Sequence, residues 1–149
     1  MTSTPSTLRI RPLDETDLGE IVTIDETISG KYRPKVWEDR VLYYLRRDPD
    51  GCFVAELEGK VIGFMLGEVR SGEFGLEEPT GWIEVIGVDP KFRGHAAGRR
   101  LADALLEHFR SRGAVSVRTL VDESMAGIGE FFTALGFTPE PLRPFVKKL

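Results

Sequence analysis

Between Gly81 and Val121 a strand pattern, a helix pattern and a second strand pattern follow one another, and this stretch limits the fold more than any other. "GWIEVIGV" (Gly81 to Val88) and "SVRTLV" (Ser116 to Val121) are β-rich runs. Leu101, Ala102, Leu105, Leu106 and Phe109 recur between them at helical spacing, and Gly113 supplies the stop. A strand, a helix and a strand in that order call for a parallel pair joined by a crossover. Upstream, "LRIRP" (Leu8 to Pro12) alternates like a half-buried strand. "CFVAEL" and "VIGFMLGEV" are separated by "EGK", a short glycine-containing loop typical of antiparallel neighbours. Leu18, Ile21, Ile24 and Ile28 form one helical stripe, which Asp14 or Thr16 is placed to cap. Trp37, Val41 and Leu45 form another, within Val36 to Asp48. Ile128, Phe131, Phe132 and Leu135 mark a last helix, stopped by Gly136. The tail "FTPEPLRPFVKKL" has room for one or two short edge strands, limited by its three prolines. The expected class is α/β: a mixed sheet with antiparallel N-terminal strands and a parallel strand-helix-strand unit, flanked by about four helices.

The chain of 149 residues is expected to be a single domain over 1–149, with residues 1–7 a flexible tail. With 20 basic against 24 acidic residues the net charge is -4, which argues against general affinity for nucleic acid or an anionic membrane. No apolar run approaches the roughly 20 residues that span a bilayer. The single cysteine, Cys52, excludes an intrachain disulfide. "MTSTPSTLRIRPL" lacks an apolar signal region, so a cytoplasmic protein is expected. Cys52 and His108, the latter on the polar flank of its helix, are read as packing residues rather than as a nucleophile or a base.

"VDPKFRGHAAGRRL" (Val88 to Leu101) concentrates Arg93, His95, Arg99 and Arg100 with Gly94 and Gly98 where the helix begins. Helix N-termini leave backbone N–H groups unpaired and carry partial positive charge, so such a turn can cradle phosphate. Solvated arginines on a surface turn are the plainer alternative. A P-loop needs Gly, four residues, then Gly-Lys-Ser/Thr, a string that is absent. The dinucleotide fingerprint needs its glycines tight against the strand, whereas five residues separate Val88 from Gly94.

"VIGVDPKFRGHAAGRRLADALL" (Val85 to Leu106) resembles the acyl-CoA-binding segment of the GNAT N-acetyltransferase superfamily, V-x-P-x-x-R-G-x-[GA]-x-[GA]. Arg93, Gly94, Ala96 and Gly98 match that pattern, with alanine for its middle glycine. The order of elements and "FFTALGF" near the end extend the resemblance over nearly the whole chain. It implies that acetyl-CoA is the cosubstrate, with the amides of His95, Ala96, Ala97, Gly98 and Arg99 holding its pyrophosphate beside Arg93 and Gly94. It also implies that the pantetheine arm pairs with the edge of Ile86, Gly87 and Val88. The implied activity is transfer of an acetyl group from the thioester directly to a primary amine, a protein lysine or N-terminal amine ahead of a small molecule. A non-catalytic acyl-CoA-binding module is the rival from another class, and a homodimer is compatible with either.

Acetyl transfer needs a neutral amine, a donor for the carbonyl oxygen and a proton for the departing thiolate. Strand alternation sets Trp82, Glu84, Ile86 and Val88 on one face, and the family deploys its base from this strand, so Glu84 is the candidate base. The alternative is a glutamate that pairs with an arginine or only attracts a cationic amine. The resemblance gives the Val88 N–H to the thioester carbonyl. The sequence departs from the family where a tyrosine commonly stands near the sulfur: here it is Phe132, and Met125 replaces an upstream asparagine. Tyr32, Tyr43 and Tyr44 are the other phenols available. No metal ligand set is expected.

Overall fold

A computed structural model describes residues 7–94, 96–125 and 127–149. The strands are β1 (Leu8–Pro12), β2 (Cys52–Leu57), β3 (Lys60–Arg70), β4 (Thr80–Val88) and β5 (Ser116–Thr119). The helices are α1 (Leu18–Ser29), α2 (Pro34–Arg47), α3 (Ala97–Ser111) and α4 (Ile128–Ala134). The strands form one sheet in the order β1-β2-β3-β4-β5. The first three pairings are antiparallel and β4–β5 is parallel, as the strand-helix-strand pattern requires. The N-terminal tail expected over 1–7 lies, Thr7 apart, outside the described residues, as does His95.

Helices cover both faces of the sheet. Ile21, Ile24, Trp37, Val41 and Tyr44 pack from α1 and α2 onto Val54, Phe64, Leu66 and Val85. Leu101, Leu105 and Phe109 of α3 and Phe132 of α4 pack onto Ile62, Met65 and Ile83 from the other side. With cover on both faces, Val61 to Glu68 of β3 is buried without a break, which explains its continuous apolar run. Asp14 caps the entry to α1, accepting from the Thr16 amide at 2.9 Å, while Asp17 accepts from the Asp14 amide. Ile28 falls out of the α1 stripe, 36% exposed in the last turn before Gly30.

The sheet departs from simple alternation at Glu84. Leu66 pairs with Val85 but Gly67 pairs with Ile83, so Glu84 is an extra residue on β4. Ile83 therefore packs with α3 while Val85 packs with α1 and α2. This corrects the expectation of one face: Ile86 and Val88 join the α3 cluster, whereas Glu84 meets Tyr44 of α2. The edge strands expected in the C-terminal tail are also absent, since no residue after Ala134 is in a helix or strand. Pro139, Pro141 and Pro144 cannot donate to a ladder, which is the physical reason.

Candidate active site

β4 and β5 pair only from Thr80–Ser116 to Ile83–Thr119, and beyond that point β4 runs on to Val88 without its parallel neighbour. The Asp89 amide donates to Ile62 of β3 at 2.8 Å. Amide direction alternates along a strand, so the N–H groups of Ile86 and Val88 turn to the open edge. An extended polar ligand fits that edge as an added strand would.

The chain leaves β4 through a short 3-10 turn, Pro90–Phe92, and reaches α3 through a turn in which Gly94 has φ +91°. Ala96, the residue before α3, has φ 62° and ψ 12°. That left-handed conformation explains a preference for glycine there, because a Cβ costs roughly 1–2 kcal/mol in it. Arg100 donates the first intrahelical bond, to Ala96 at 3.0 Å, so the amides of Ala97, Gly98 and Arg99 have no partner within the helix. Among the described residues no side chain caps them, and no acid stands in the first turn. Arg93 and Arg99 are exposed beside these amides. Arg100 instead donates to the Leu8 carbonyl at 2.6 Å, tying α3 to β1. Bare amides, helix dipole and two cations make this end electropositive, and the residues present fit a pyrophosphate. Gly98 has a second role: a Cβ there would stand 3.0 Å from the Phe131 ring.

Glu84 lies on the α1–α2 side with its side chain 28% exposed. Tyr44 donates to its Oε2 at 2.6 Å, and Arg70 pairs with its Oε1. Arg70 also donates to Glu68 at 2.7 Å. Glu68, 2% exposed, further pairs with Arg47 and accepts from Tyr43 at 3.2 Å. Burial, then the bond to Glu84, holds the Tyr44 phenol far above its ordinary range, so it stays a donor. Glu84 thus has the arginine partner of the alternative reading. A carboxylate has room for about four hydrogen bonds, however, and each Glu84 oxygen retains a site for an amine or a water.

The structure brings Ile86, Gly87, Val88, Arg93, Gly94, Ala96, Ala97, Gly98 and Arg99 into one continuous stretch along the open edge and the α3 terminus. Gly87 answers to packing, since a Cβ there would lie 2.5 Å from the Phe64 ring. Phe132 is 3% exposed, edge-on to Phe131 and Phe137. Sequence reasoning missed Glu68 and Arg70. The available signal was a glutamate and an arginine two apart in an otherwise apolar strand. His108 is not on a polar flank as expected: it bonds Asp48 at 2.6 Å, linking α3 to the end of α2. Burial pushes the Cys52 thiol up to about 12, which keeps it inert at neutral pH.

The model of the acetyltransferase (GNAT) family matches residues 18–137. The chain belongs to this family. Acetyl-CoA is the cosubstrate of the GNAT family. A mycothiol acetyltransferase of Thermobispora bispora is 42% identical over 91 residues, 61% of this chain and 31% of that protein. The chain spans about a third of the length of the first such curated relatives. The structure of the aminoglycoside N-acetyltransferase AAC(6')-Iy in complex with CoA superposes with a TM-score of 0.85 at 20% identity, covering 99% of each chain, a likeness of fold. Ard1 from Thermoplasma volcanium has a TM-score of 0.75 at 26% identity, covering 88% of this chain and 82% of that one.

Proposed function

We propose that the chain is an acetyl-CoA-dependent N-acetyltransferase with a primary amine as acceptor. The observation that carries this reading is the continuity of the open β4 edge with the uncapped, cationic start of α3. Bound there, acetyl-CoA supplies an activated acyl carbonyl and a thiolate leaving group, whose pKa of roughly 8.5 lets it depart at neutral pH. Ile86 and Val88 orient the arm through their amides, and Val88 N–H stabilises negative charge on the carbonyl oxygen. The Ala97, Gly98 and Arg99 amides, with His95 and Ala96 before them and Arg93 and Gly94 alongside, hold the phosphates. Phe132 has no proton to offer, so the thiolate takes its proton from solvent.

Glu84 holds the acceptor ammonium and removes its proton, directly or through a water, while Tyr44 and Arg70 fix the carboxylate. The acceptor reading favoured by the mycothiol acetyltransferase relative is a small-molecule amine. A protein lysine or N-terminal amine is the second reading, favoured by the exposed acidic loop of Glu73, Glu77 and Glu78 next to β4.

The test measures free thiol on mixing the protein with acetyl-CoA and a panel of small amines and lysine peptides. Thiol release that requires an amine and saturates in it supports the transferase. Coenzyme binding without release leaves an acyl-CoA-binding module, and release only with peptides selects the protein acceptor.

A further inference from the structure

Glu68 is a carboxylate at the end of the buried, otherwise apolar run of β3, and it is itself 2% exposed. A charge in such a place is costly unless it is paired and hydrogen-bonded. Arg70 donates to its Oε1 at 2.7 Å, Tyr43 donates to the same oxygen at 3.2 Å, and Arg47 pairs with Oε2. These partners hold Glu68 in place. They do not explain why a charge stands there, since an apolar residue of similar size would need none of them.

The explanation lies with Arg70, whose guanidinium bridges Glu68 and Glu84 and stands 6.0 Å from the centre of the Trp82 ring. Paired with Arg70 alone, Glu84 would be neutralised, and a cationic acceptor would gain little by approaching it. With Glu68 present, two carboxylates share one guanidinium. The other cations nearby leave that balance standing. The Arg47 side chain is 53% exposed, so water screens it, and Arg118 of β5, in register with Trp82, is matched by Glu140 at 2.6 Å. Tyr43 and Tyr44 of α2 add hydrogen bonds to the two carboxylates. One negative charge is left over, and it meets solvent at the partly exposed Glu84.

We propose that Glu68 is a positioning residue of the acceptor site: it holds Arg70 and offsets its charge, so that Glu84 attracts an amine arriving as an ammonium. This role rests on the transferase reading and narrows its acceptor to amines that are charged at neutral pH. Glu68 acts through Arg70 and not by contact with the acceptor.

Steady-state kinetics at pH 7 tests it with two sets of acceptors, alkylamines, which are charged, and aromatic amines, which are neutral. The proteins are the parent, Glu68→Gln, Arg47→Gln and the double variant Glu68→Gln, Arg70→Gln. One unit charge acting across roughly 10 Å of partly buried protein changes a binding constant by about 10-fold. Glu68→Gln should raise the alkylamine KM by about that factor, with the loss in KM and not in kcat, and leave the aromatic-amine KM where it was. Removing Arg70 as well restores the balance of charge and brings the alkylamine KM back toward the parent's. Arg47→Gln, a change at the surface, lowers that KM. Equal losses with both sets of amines, a double variant no better than Glu68→Gln, or a parent that accepts the neutral amines alone overturns the role. Should Glu68→Gln fail to fold, seen as a lost Tm shift with acetyl-CoA, Arg47→Gln decides by sign, and a raised KM overturns the role. A parent that releases no thiol with any amine ends the transferase reading and this role with it, whereas an active parent whose variants share its KM ends this role alone.

Discussion

Ala96 stands where the family's motif takes either glycine or alanine, and its backbone records the difference. At φ 62° it holds a conformation that glycine adopts without strain. Ala96→Gly relieves the Cβ contact but frees the unfolded chain, which takes back about 0.4–1 kcal/mol. A net gain between about 0 and 1.6 kcal/mol follows, raising Tm by no more than about 3–6 °C in a domain of this size. Calorimetry that finds a lower Tm would show that the left-handed turn is not strained. At Glu84 the prediction is kinetic. Glu84→Gln keeps the shape and removes the base, lowering kcat by about 10² to 10⁴-fold with the coenzyme Kd unchanged. Tyr44→Phe removes a hydrogen bond to a charge worth about 1.5–3 kcal/mol, so a loss of roughly 10 to 100-fold is expected. A Glu84→Gln enzyme within a few-fold of its parent would leave the glutamate as the partner of Arg70 alone.

At the scale of elements, the start of α3 is where binding is measured. A ligand held by the folded state alone raises Tm by mass action, so acetyl-CoA should raise it and Arg93→Glu should abolish the rise. Arg93 is exposed, which leaves the unliganded Tm unchanged; a full shift in the variant would move the phosphates elsewhere. Gly98 makes a poorer probe, because a Cβ there also presses on Phe131 of α4. The joint between α1 and α2 is electrostatic. Arg33 bonds both oxygens of Asp25 at 2.9 Å and holds that carboxylate below its ordinary range, against its burial. A depressed folded pKa means stability present above the unfolded value of about 3.9 and lost as pH falls through the folded one. Asp25→Asn should therefore be less stable than its parent at pH 7, with the gap closing below about pH 4. A gap that persists in acid would assign the effect to packing.

The whole molecule depends on how closely α3 lies on the sheet. At Gly81 of β4 a Cβ would stand 2.3 Å from Cδ2 of Phe109, a fully buried residue of α3. Gly81→Ala should cost about 1–3 kcal/mol by overpacking. Adding Phe109→Leu should cost less than the sum of the two single changes, because the residues share one space. Strict additivity in denaturant unfolding would show that the strand shifts instead of the ring. His108, next to Phe109 on α3, bonds Asp48 at the end of α2 at 2.6 Å, with side chains 9% and 12% exposed.

Local pattern was enough for the five strands, the helices, the parallel crossover and the glycine-containing turn into α3. Each rests on periodicity, on glycine placement or on the uncapped start of α3, and neighbours in sequence decide all three. Those residues stay together in any fold that forms β4 and α3. Glu84 was legible as a candidate, yet its partners were not: Arg70 and Tyr44 reach it from another strand and another helix. Its face was misjudged because a bulge depends on how β3 pairs with β4, and a period of two carries no record of an inserted residue. His108 looked exposed because helical spacing alone does not show that Asp48, sixty residues away in sequence, covers it. The C-terminal tail follows the same logic from the other side. Its β-prone, apolar residues predicted strands, and only the tertiary structure decided otherwise, because a strand forms on a partner edge and three prolines here have no N–H to give a ladder.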